Sequence, residues 1–412
     1  MSNNDHLDVP DFVKNAGRVS YSQPGGKSDA KKCLIWSNDL KSELIPNQYL
    51  SRDLPIADLV IENPVEIEDG KALWSGQFGL RGIGLILSGG LSSQGKKASE
   101  DAPPLVTVRQ TPLGDTALTL AVFDGMGGAG SSIIHLKTTQ PTVECSQAYI
   151  ASRIVRGVLG EIAISSVGMN AQDLEARLKI KLGEFSTQNG IVESSKIRGS
   201  MAKRLPSTIA AVRCDIPREL NINKKQLIEV VWAGDSRVYV LTPKSGLSVI
   251  TKDDVVSDDA LEQLRTDPPI VNVVNESVPF RLNNKKVDVE LPCLFIAATD
   301  GLYGYIYTPG YLEFLILDCL YRSKTVLEFS DLLLKESSLL ASDDVSFAIA
   351  FIGFGADIEK VRYTFQERYR KLKDLYQLFA DKPSIEGSES LIDTIWKTEQ
   401  RSFNRFLGER YE

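Results

Sequence analysis

Histidine and cysteine are scarce in this chain. Its 412 residues include two histidines, His6 and His135, and five cysteines. Two histidines are too few for a histidine-based metal site or for a defensible Ser-His-Asp triad. The number of cysteines is odd and no two form a C-x-x-C pair, which predicts small buried thiols in a reducing compartment. We therefore expect a cytoplasmic protein.

Long apolar runs and an excess of positive charge are also missing. The longest apolar runs fall far short of the roughly 20 residues that a membrane helix needs. The N-terminal sequence MSNNDHLDVP has no basic start and no apolar core, which argues against a secretory signal. The net charge of −7 argues against a general nucleic-acid or anionic-membrane surface. We expect neither nucleic acid nor a membrane as a partner.

Apolar stretches that end beside an acidic residue are the main feature that the sequence does have. LTLAVF is followed directly by Asp124, and CLFIAAT is followed by Asp300. Asp343 and Asp344 come just before VSFAIAFI. Short apolar runs of this kind predict buried strands, so each strand would deliver a carboxylate to its tip. The three glycines that follow Asp124 within four residues allow a tight turn and a close approach to a ligand.

A further acidic pair, Glu100 and Asp101, lies in the loop after the first clear strand. Each acid taken alone is better explained as an ordinary turn residue. Taken together, carboxylates at the ends of buried strands are costly to desolvate and would repel one another. Mg²⁺ and Mn²⁺ compensate such a cluster because they prefer oxygen ligands. The ordered set therefore predicts a site for two ions that activate a water and clamp a phosphoryl group.

The order of the predicted elements is typical of an α+β protein. Strands, two helices, strands, two helices, a final strand and a helical tail follow one another without regular βαβ alternation. Gly234-Asp235-Ser236 is predicted to be the tight turn of a hairpin, in which Asp235 and Ser236 bond backbone amides. Residues 253–285 contain Pro268-Pro269 and many charges, and are predicted to form an irregular surface flap.

These motifs resemble the metal-dependent protein phosphatase 2C family over Ile83 to Gly355. The pieces that carry the resemblance are GLSSQGKKASEDA, VFDGMGG, PSTIAA, WAGDSRVYVL, ATDGLYGYI and SDDVSFAIAFI. The resemblance implies a central antiparallel β-sandwich flanked by helix pairs, with a two-metal site at one edge. It also implies a protein serine/threonine phosphatase that uses Mn²⁺ or Mg²⁺. In that family a bridging water or hydroxide attacks phosphoserine or phosphothreonine directly.

The resemblance implies six metal-binding positions. One carboxylate would bridge both ions, and the glycine after it would lend a backbone carbonyl. Two acids would hold one ion, and two would support the other, partly through water. In that order the residues are Asp124, Gly125, Asp300, Asp343, Glu100 and Asp101. Whether Asp343 or Asp344 is the direct ligand stays open at this point.

Three positions depart from the family pattern. Lys96 stands where the family usually has an arginine that grips the substrate phosphate, and lysine keeps the charge but loses the two-pronged geometry. Arg204 stands about where many members place an Asp for a third metal, which makes a third ion doubtful. Met126 replaces a histidine of many members, so no general acid comes from that position.

We predict three parts along the chain. Residues 1–75 form a poorly defined lead-in whose first thirty residues are flexible, residues 76–355 form the catalytic domain, and residues 356–412 form a helical hairpin. In the hairpin, apolar residues recur with three-and-four spacing from Ile358 to Phe379, and a second helix follows Gly387.

Two roles are open for this hairpin. It either packs on its own sandwich or docks a partner, such as a cognate kinase, a substrate or a second copy of the chain. The alternative function for the whole protein is a catalytically weak phosphatase-like binding or regulatory module that acts through this tail. The complete set of acids favours the enzyme, since a decayed site would be expected to lose at least one of these costly carboxylates.

Overall fold

Two stacked antiparallel sheets with helices on their outer faces form the centre of this computed structural model. The structure describes residues 33–36, 42–45, 59–61, 71–78, 83–92, 99–111, 113–136, 143–165, 168–191, 203–380 and 389–408. The first thirty residues, predicted to be flexible, lie outside the described residues, and so does Lys96. No helix of the described part is long and apolar enough to cross a membrane.

The first sheet has five strands. Their order across the sheet is β14 (Asn283–Val289), β11 (Gln226–Ala233), β10 (Ile209–Ile216), β7 (Thr116–Phe123) and β6 (Ala102–Gln110). All of these strands pair in antiparallel fashion.

The second sheet has seven strands. Their order is β13 (Gly246–Val249), β12 (Arg237–Thr242), β15 (Cys293–Ala298), β16 (Val345–Ile352), β5 (Ile83–Leu91), β4 (Lys71–Phe78) and β3 (Leu59–Ile61). These pairs are also antiparallel. Two short ribbons complete the described strands, β1 (Cys33–Trp36) with β2 (Ser42–Ile45) and β8 (Ile133–Leu136) with β9 (Val143–Ser146). The predicted domain boundary at residue 75 falls inside β4; the division into three parts stays a prediction.

Apolar side chains from the inner faces of both sheets fill the space between them. Leu120 and Val212 of the first sheet belong to the same buried cluster as Val240, Phe295 and Ala350 of the second. The strands at the centre are covered on both faces, and this explains why LTLAVF and VSFAIAFI read as continuous apolar runs. Burial of this area is the main stabilising contribution to the fold.

Helix pairs cover the two outer faces. α1 (Gln147–Ser165) and α2 (Ala171–Gln188) share a buried cluster with the first sheet, and α5 (Tyr311–Arg322) and α6 (Val326–Leu340) share one with the second. The Asn170 side chain caps α2 by accepting two backbone N–H bonds, and the Thr325 side chain caps α6 by accepting one. Two short helices, α3 (Ala260–Thr266) and α4 (Asp300–Tyr303), lie in connections. The prediction of an antiparallel sandwich flanked by helix pairs is confirmed.

The helical extension consists of α7 (Ile358–Ala380) and α8 (Glu389–Phe403). Its apolar stripe is buried in the same cluster as α5 and β13, with Val361, Phe365, Ile395 and Trp396 all almost fully covered. The side chain of Phe379, the last member of the predicted stripe, lies outside the described residues. In this structure the extension packs on its own sandwich.

Two local predictions are wrong. β11 and β12 do not form a hairpin, because β11 pairs within the first sheet and β12 within the second. Gly234, with φ of +96°, forms the corner between the sheets, and a Cβ there would meet the Thr208 side chain at 2.7 Å. Residues 253–285 are also more than a surface flap: they include α3, and Val274 and Phe280 are buried.

Candidate metal centre

The strand register brings the predicted acids to one end of the sandwich. Ala102 at the start of β6 pairs with Phe123 at the end of β7, so the residues just outside them, Asp101 and Asp124, face each other. In the second sheet, Ala298 at the end of β15 pairs with Phe347 near the start of β16. Antiparallel pairing therefore places the end of one strand beside the beginning of the next at a single edge.

Hydrogen bonds across this edge tie the two sheets together. The backbone N–H of Glu100 donates to Asp344 Oδ2 at 2.7 Å. Thr299 Oγ1, which follows β15, donates to Asp101 Oδ2 at 3.0 Å. Asp101 is almost fully buried, with 3% of its surface exposed. These contacts place the candidate acids of both sheets in one network, as the sequence predicts.

Asp124 is fixed through its backbone. Its N–H donates to Thr208 Oγ1 at 3.2 Å, and its carbonyl accepts from the Thr208 N–H at 2.8 Å. The carboxyl group of Asp124 shares a hydrogen bond with that of Asp101. Burial, followed by the charges of Asp101 and Asp300, raises the pKa of Asp124 well above its usual range.

Gly125 packs where no larger residue fits. A Cβ at this position would lie 2.5 Å from the carbonyl oxygen of Glu100 and 2.6 Å from that of Ala148. Both neighbours are backbone atoms, which cannot rotate away. The glycine after Asp124 thus brings the β7 tip into direct contact with the loop that carries Glu100.

Asp300 begins α4 directly after β15. Burial and the charge of Asp343 raise the pKa of Asp300 to about 7. Gly301 permits the close approach of the two segments, since a Cβ there would lie 1.9 Å from the Asp344 carbonyl oxygen. Of the two adjacent acids, Asp344 is buried and accepts the Glu100 N–H, whereas the more exposed Asp343 acts on Asp300. The geometry favours Asp343 as the ligand and Asp344 as the residue that holds the loop.

Asp235 is a member of the cluster that the sequence interpretation missed. Its buried Oδ1 has no hydrogen-bond partner among the described residues, and burial together with the charges of Asp300 and Asp124 raises its pKa well above the usual range. Its backbone carbonyl accepts a hydrogen bond from the Tyr303 hydroxyl. The sequence did contain the same signal for Asp235, because this residue also comes just after an apolar strand. Interpreting Gly234-Asp235-Ser236 as a hairpin turn excluded Asp235 from the candidate ligands.

The chemistry of these side chains fits hard divalent cations. All of the donors are oxygens, and burial together with the charges of neighbouring acids raises the pKa of Asp101, Asp124, Asp235 and Asp300. A buried set of carboxylates with no cation is costly, and Mg²⁺ or Mn²⁺ would compensate it. Within the described residues no group of three or more His, Cys, Asp or Glu side chains is already arranged as a metal site. The ligand assignments therefore remain proposals.

Two basic positions remain from the sequence interpretation. Lys96 is outside the described residues, in the segment between Ser92 and Ser99. Arg204 forms an ion pair with Glu276 at 2.7 Å and is partly buried. The sequence made a third metal doubtful because Arg204 stands at that position, and in the structure its guanidinium already has an ionic partner.

No family model matches the chain, and no curated protein matches it. Solved structures do. A serine/threonine phosphatase of S. agalactiae is 14% identical, with a TM-score of 0.43 over 65% of this chain and 98% of that chain. A serine/threonine phosphatase of Staphylococcus aureus is 17% identical, with a TM-score of 0.44 over 65% and 94%. The catalytic domain of the phosphatase PstP, in complex with two manganese ions, is 16% identical, with a TM-score of 0.41 over 65% and 97%. The chain is thus similar to bacterial serine/threonine phosphatases.

Proposed function

We propose that this protein is a metal-dependent protein serine/threonine phosphatase that uses two Mn²⁺ or Mg²⁺ ions. The observation that carries the proposal is the convergence of Asp101, Asp124, Asp300 and Asp343 from two sheets at one end of the sandwich. Burial and neighbouring charges raise the pKa of Asp101, Asp124 and Asp300, and Asp343 adds its negative charge to Asp300, so the cluster is poorly suited to a structural role alone. Two bound ions would activate a bridging water for direct attack on phosphorus and would neutralise the phosphoryl oxygens.

The chain's own residues then have separate tasks. Asp124, fixed by Thr208, would contact both ions, and the Gly125 carbonyl would contact one. Asp300 and Asp343 would hold one ion, and Glu100 and Asp101 would support the other. Because both sheets contribute, relative movement of the sheets would change the distance between the two ion positions.

The proposed substrate is a phosphorylated protein, and Lys96 is the proposed contact for its phosphate. Lys96 lies in sequence between β5, whose last residue pairs with Val345, and Glu100 at the site. A lysine at this position would bind the phosphate in the ground state, so Lys96→Ala should raise KM more than it lowers kcat.

The alternative, a binding or regulatory module that acts through the tail, is less well supported. The apolar stripe of α7 and α8 is already covered by the protein's own core. A cognate kinase or a second copy of the chain would have to use the outward face of α7, where Tyr363 is exposed. We retain docking on that face as a secondary proposal.

The test is phosphate release from a phosphothreonine peptide, a phosphotyrosine peptide and p-nitrophenyl phosphate, each with Mn²⁺ and with EDTA. The proposal predicts Mn²⁺-dependent turnover of the phosphothreonine peptide and of p-nitrophenyl phosphate, and a much lower rate on phosphotyrosine. No turnover of any substrate at saturating Mn²⁺ would support the binding module instead.

A further inference from the structure

A buried arginine on α1 holds the loop that carries two of the candidate acids. Arg153 is 7% exposed and lies near the end of the second turn of the helix. Its Nη2 donates to the carbonyl oxygens of Ser99 and Asp101, both at 3.0 Å. Its Nη1 donates to the carbonyl oxygen of Glu100 at 3.3 Å. One guanidinium therefore binds three consecutive carbonyls of the loop.

The guanidinium is itself held in place. Nη1 also donates to the Tyr149 carbonyl at 2.9 Å, and the group stacks on the Tyr149 ring at 3.3 Å from its centroid. A planar, five-donor guanidinium suits this task, because a lysine could not reach three carbonyls in fixed directions.

Two serines, one on α1 and one at the end of β9, bind the same loop. Ser152 Oγ donates to the Glu100 carbonyl at 2.6 Å. Ser146 Oγ donates to the Glu100 side chain, Oε1, at 2.6 Å and accepts the Tyr149 N–H at the start of α1. The first turns of α1 thus bind the backbone of Glu100, and the last residue of β9 binds its carboxylate.

We propose that Arg153 is a positioning residue for one of the two metal positions. Its bonds to the backbone of Ser99, Glu100 and Asp101 fix the direction in which the Glu100 and Asp101 side chains leave the loop. Without them, the loop would lose three interactions with one rigid group, and the two acids would no longer share one orientation. The other position, with Asp300 and Asp343 from the second sheet, receives no bond from Arg153 and is connected to this loop through the Glu100 N–H bond to Asp344. This inference rests on the proposed function.

Mn²⁺ titration, followed by the EPR signal of free Mn²⁺, tests the inference without relying on activity. We expect the full-length wild-type chain to bind two ions. Arg153→Gln should lower the affinity for one ion on the order of 10–100-fold, as the loss of other ligand-orienting residues does, and lower the affinity for the second ion much less. The Mn²⁺ affinity of Arg153→Lys should lie between those of wild type and Arg153→Gln. In a phosphatase assay, raising Mn²⁺ should restore the Arg153→Gln rate with KM for p-nitrophenyl phosphate unchanged, which a general loss of structure would not allow.

Two further variants keep the test decisive. Arg213→Gln removes a comparably buried arginine inside β10, four residues away from the end of the strand that faces the site. This variant should lower the melting temperature without changing Mn²⁺ binding. Ser146→Ala removes only the bond to the Glu100 side chain and the cap of α1. It serves as the test if Arg153→Gln does not fold, and it should lower the affinity for the same ion more mildly. Two ions bound with wild-type affinity by Ser146→Ala and by a folded Arg153→Gln would overturn the inference. A wild-type chain that binds no Mn²⁺ would overturn the proposed function itself.

Discussion

The backbone N–H of Glu100 donates a 2.7 Å hydrogen bond to Asp344 Oδ2, joining the loop before β6 to the loop before β16. The two residues are 244 positions apart in the chain and belong to different sheets. Asp344 therefore serves as an acceptor that keeps the two loops together, and this leaves its neighbour Asp343 as the candidate ligand. Adjacent acids with different tasks offer a direct comparison.

Asp343→Ala and Asp344→Ala should fail in different ways. Asp344→Ala leaves the Glu100 N–H without its acceptor, which costs about 1–3 kcal/mol of unfolding free energy. Asp343→Ala should abolish Mn²⁺-dependent activity with a smaller loss of stability. The Asp344 N–H loses its acceptor, Asp343 Oδ1, but the repulsion between Asp343 and Asp300 disappears as well. Thermal unfolding and Mn²⁺ titration of both variants check this. Equal melting temperatures, or a larger loss of Mn²⁺ binding in Asp344→Ala, would reverse the assignment.

Gly125→Ala should destabilise the protein, whereas Gly128→Ala should not. The added methyl at position 125 would lie within 2.6 Å of two backbone oxygens, so either the β7 tip or the Glu100 loop must move, at a cost of about 1–3 kcal/mol. At position 128 no heavy atom lies within 4 Å of the added Cβ. Urea denaturation measures the difference. An unchanged midpoint for Gly125→Ala would show that the close approach is not needed.

The extension should behave as part of the core. Trp396 is buried and its Nε1 donates to Asp259 Oδ2 at 3.1 Å, so Trp396→Ala should cost about 3–5 kcal/mol. Tyr363→Ala, on the exposed face of α7, should change stability by less than about 0.5 kcal/mol. A chain ending at Gly355 should melt far below the full-length protein. If it stays folded with an unchanged melting temperature but loses a binding partner, the docking proposal gains support.

Stability should fall as pH rises from about 5 to 8 because of Glu399. Burial, followed by the charge of Glu313 on α5, raises the pKa of Glu399 to about 7, although the Tyr376 hydroxyl and Arg368 on α7 act against this. The folded chain therefore keeps a proton that the unfolded chain releases near 4.5, the ordinary pKa of a glutamate side chain. The contribution of Glu399 to the free energy of unfolding is therefore complete below pH 4.5 and is lost as pH rises through about 7.

Glu399→Gln removes this ionisation and keeps an acceptor for Tyr376. The melting temperature of this variant should match that of wild type at pH 5 and clearly exceed it at pH 8. A difference that does not change with pH would show that Glu399 ionises normally in the folded protein.

The positions of the site acids followed from the sequence because of simple strand geometry. Asp124 and Asp300 each end an apolar run, and the ends of antiparallel neighbours meet at one edge. The choice between Asp343 and Asp344 did not follow, because it depends on which of them accepts a bond from Glu100. That bond is set by packing between segments far apart in sequence.

The corner at Gly234 shows the same limit of sequence reasoning. β11 and β12 are mostly apolar, so their pattern fits a hairpin and a change of sheet equally well. The pairing of β12 with β15, about 60 residues later, decides between them. Since Asp235 lies at this corner, the wrong local structure also removed it from the candidate site.

The most direct test of the metal site is the rate of phosphate release from a phosphothreonine peptide by wild type and Asp124→Asn over a range of Mn²⁺ concentrations. We predict that wild-type activity requires Mn²⁺ and disappears in EDTA. Asp124→Asn should lose at least about a hundred-fold in rate at every concentration, because one carboxylate would serve both ions. Asp215→Asn, at the far end of β10, should match wild type. Robust turnover in metal-free buffer, or a near wild-type rate for Asp124→Asn with both ions bound, would contradict the account.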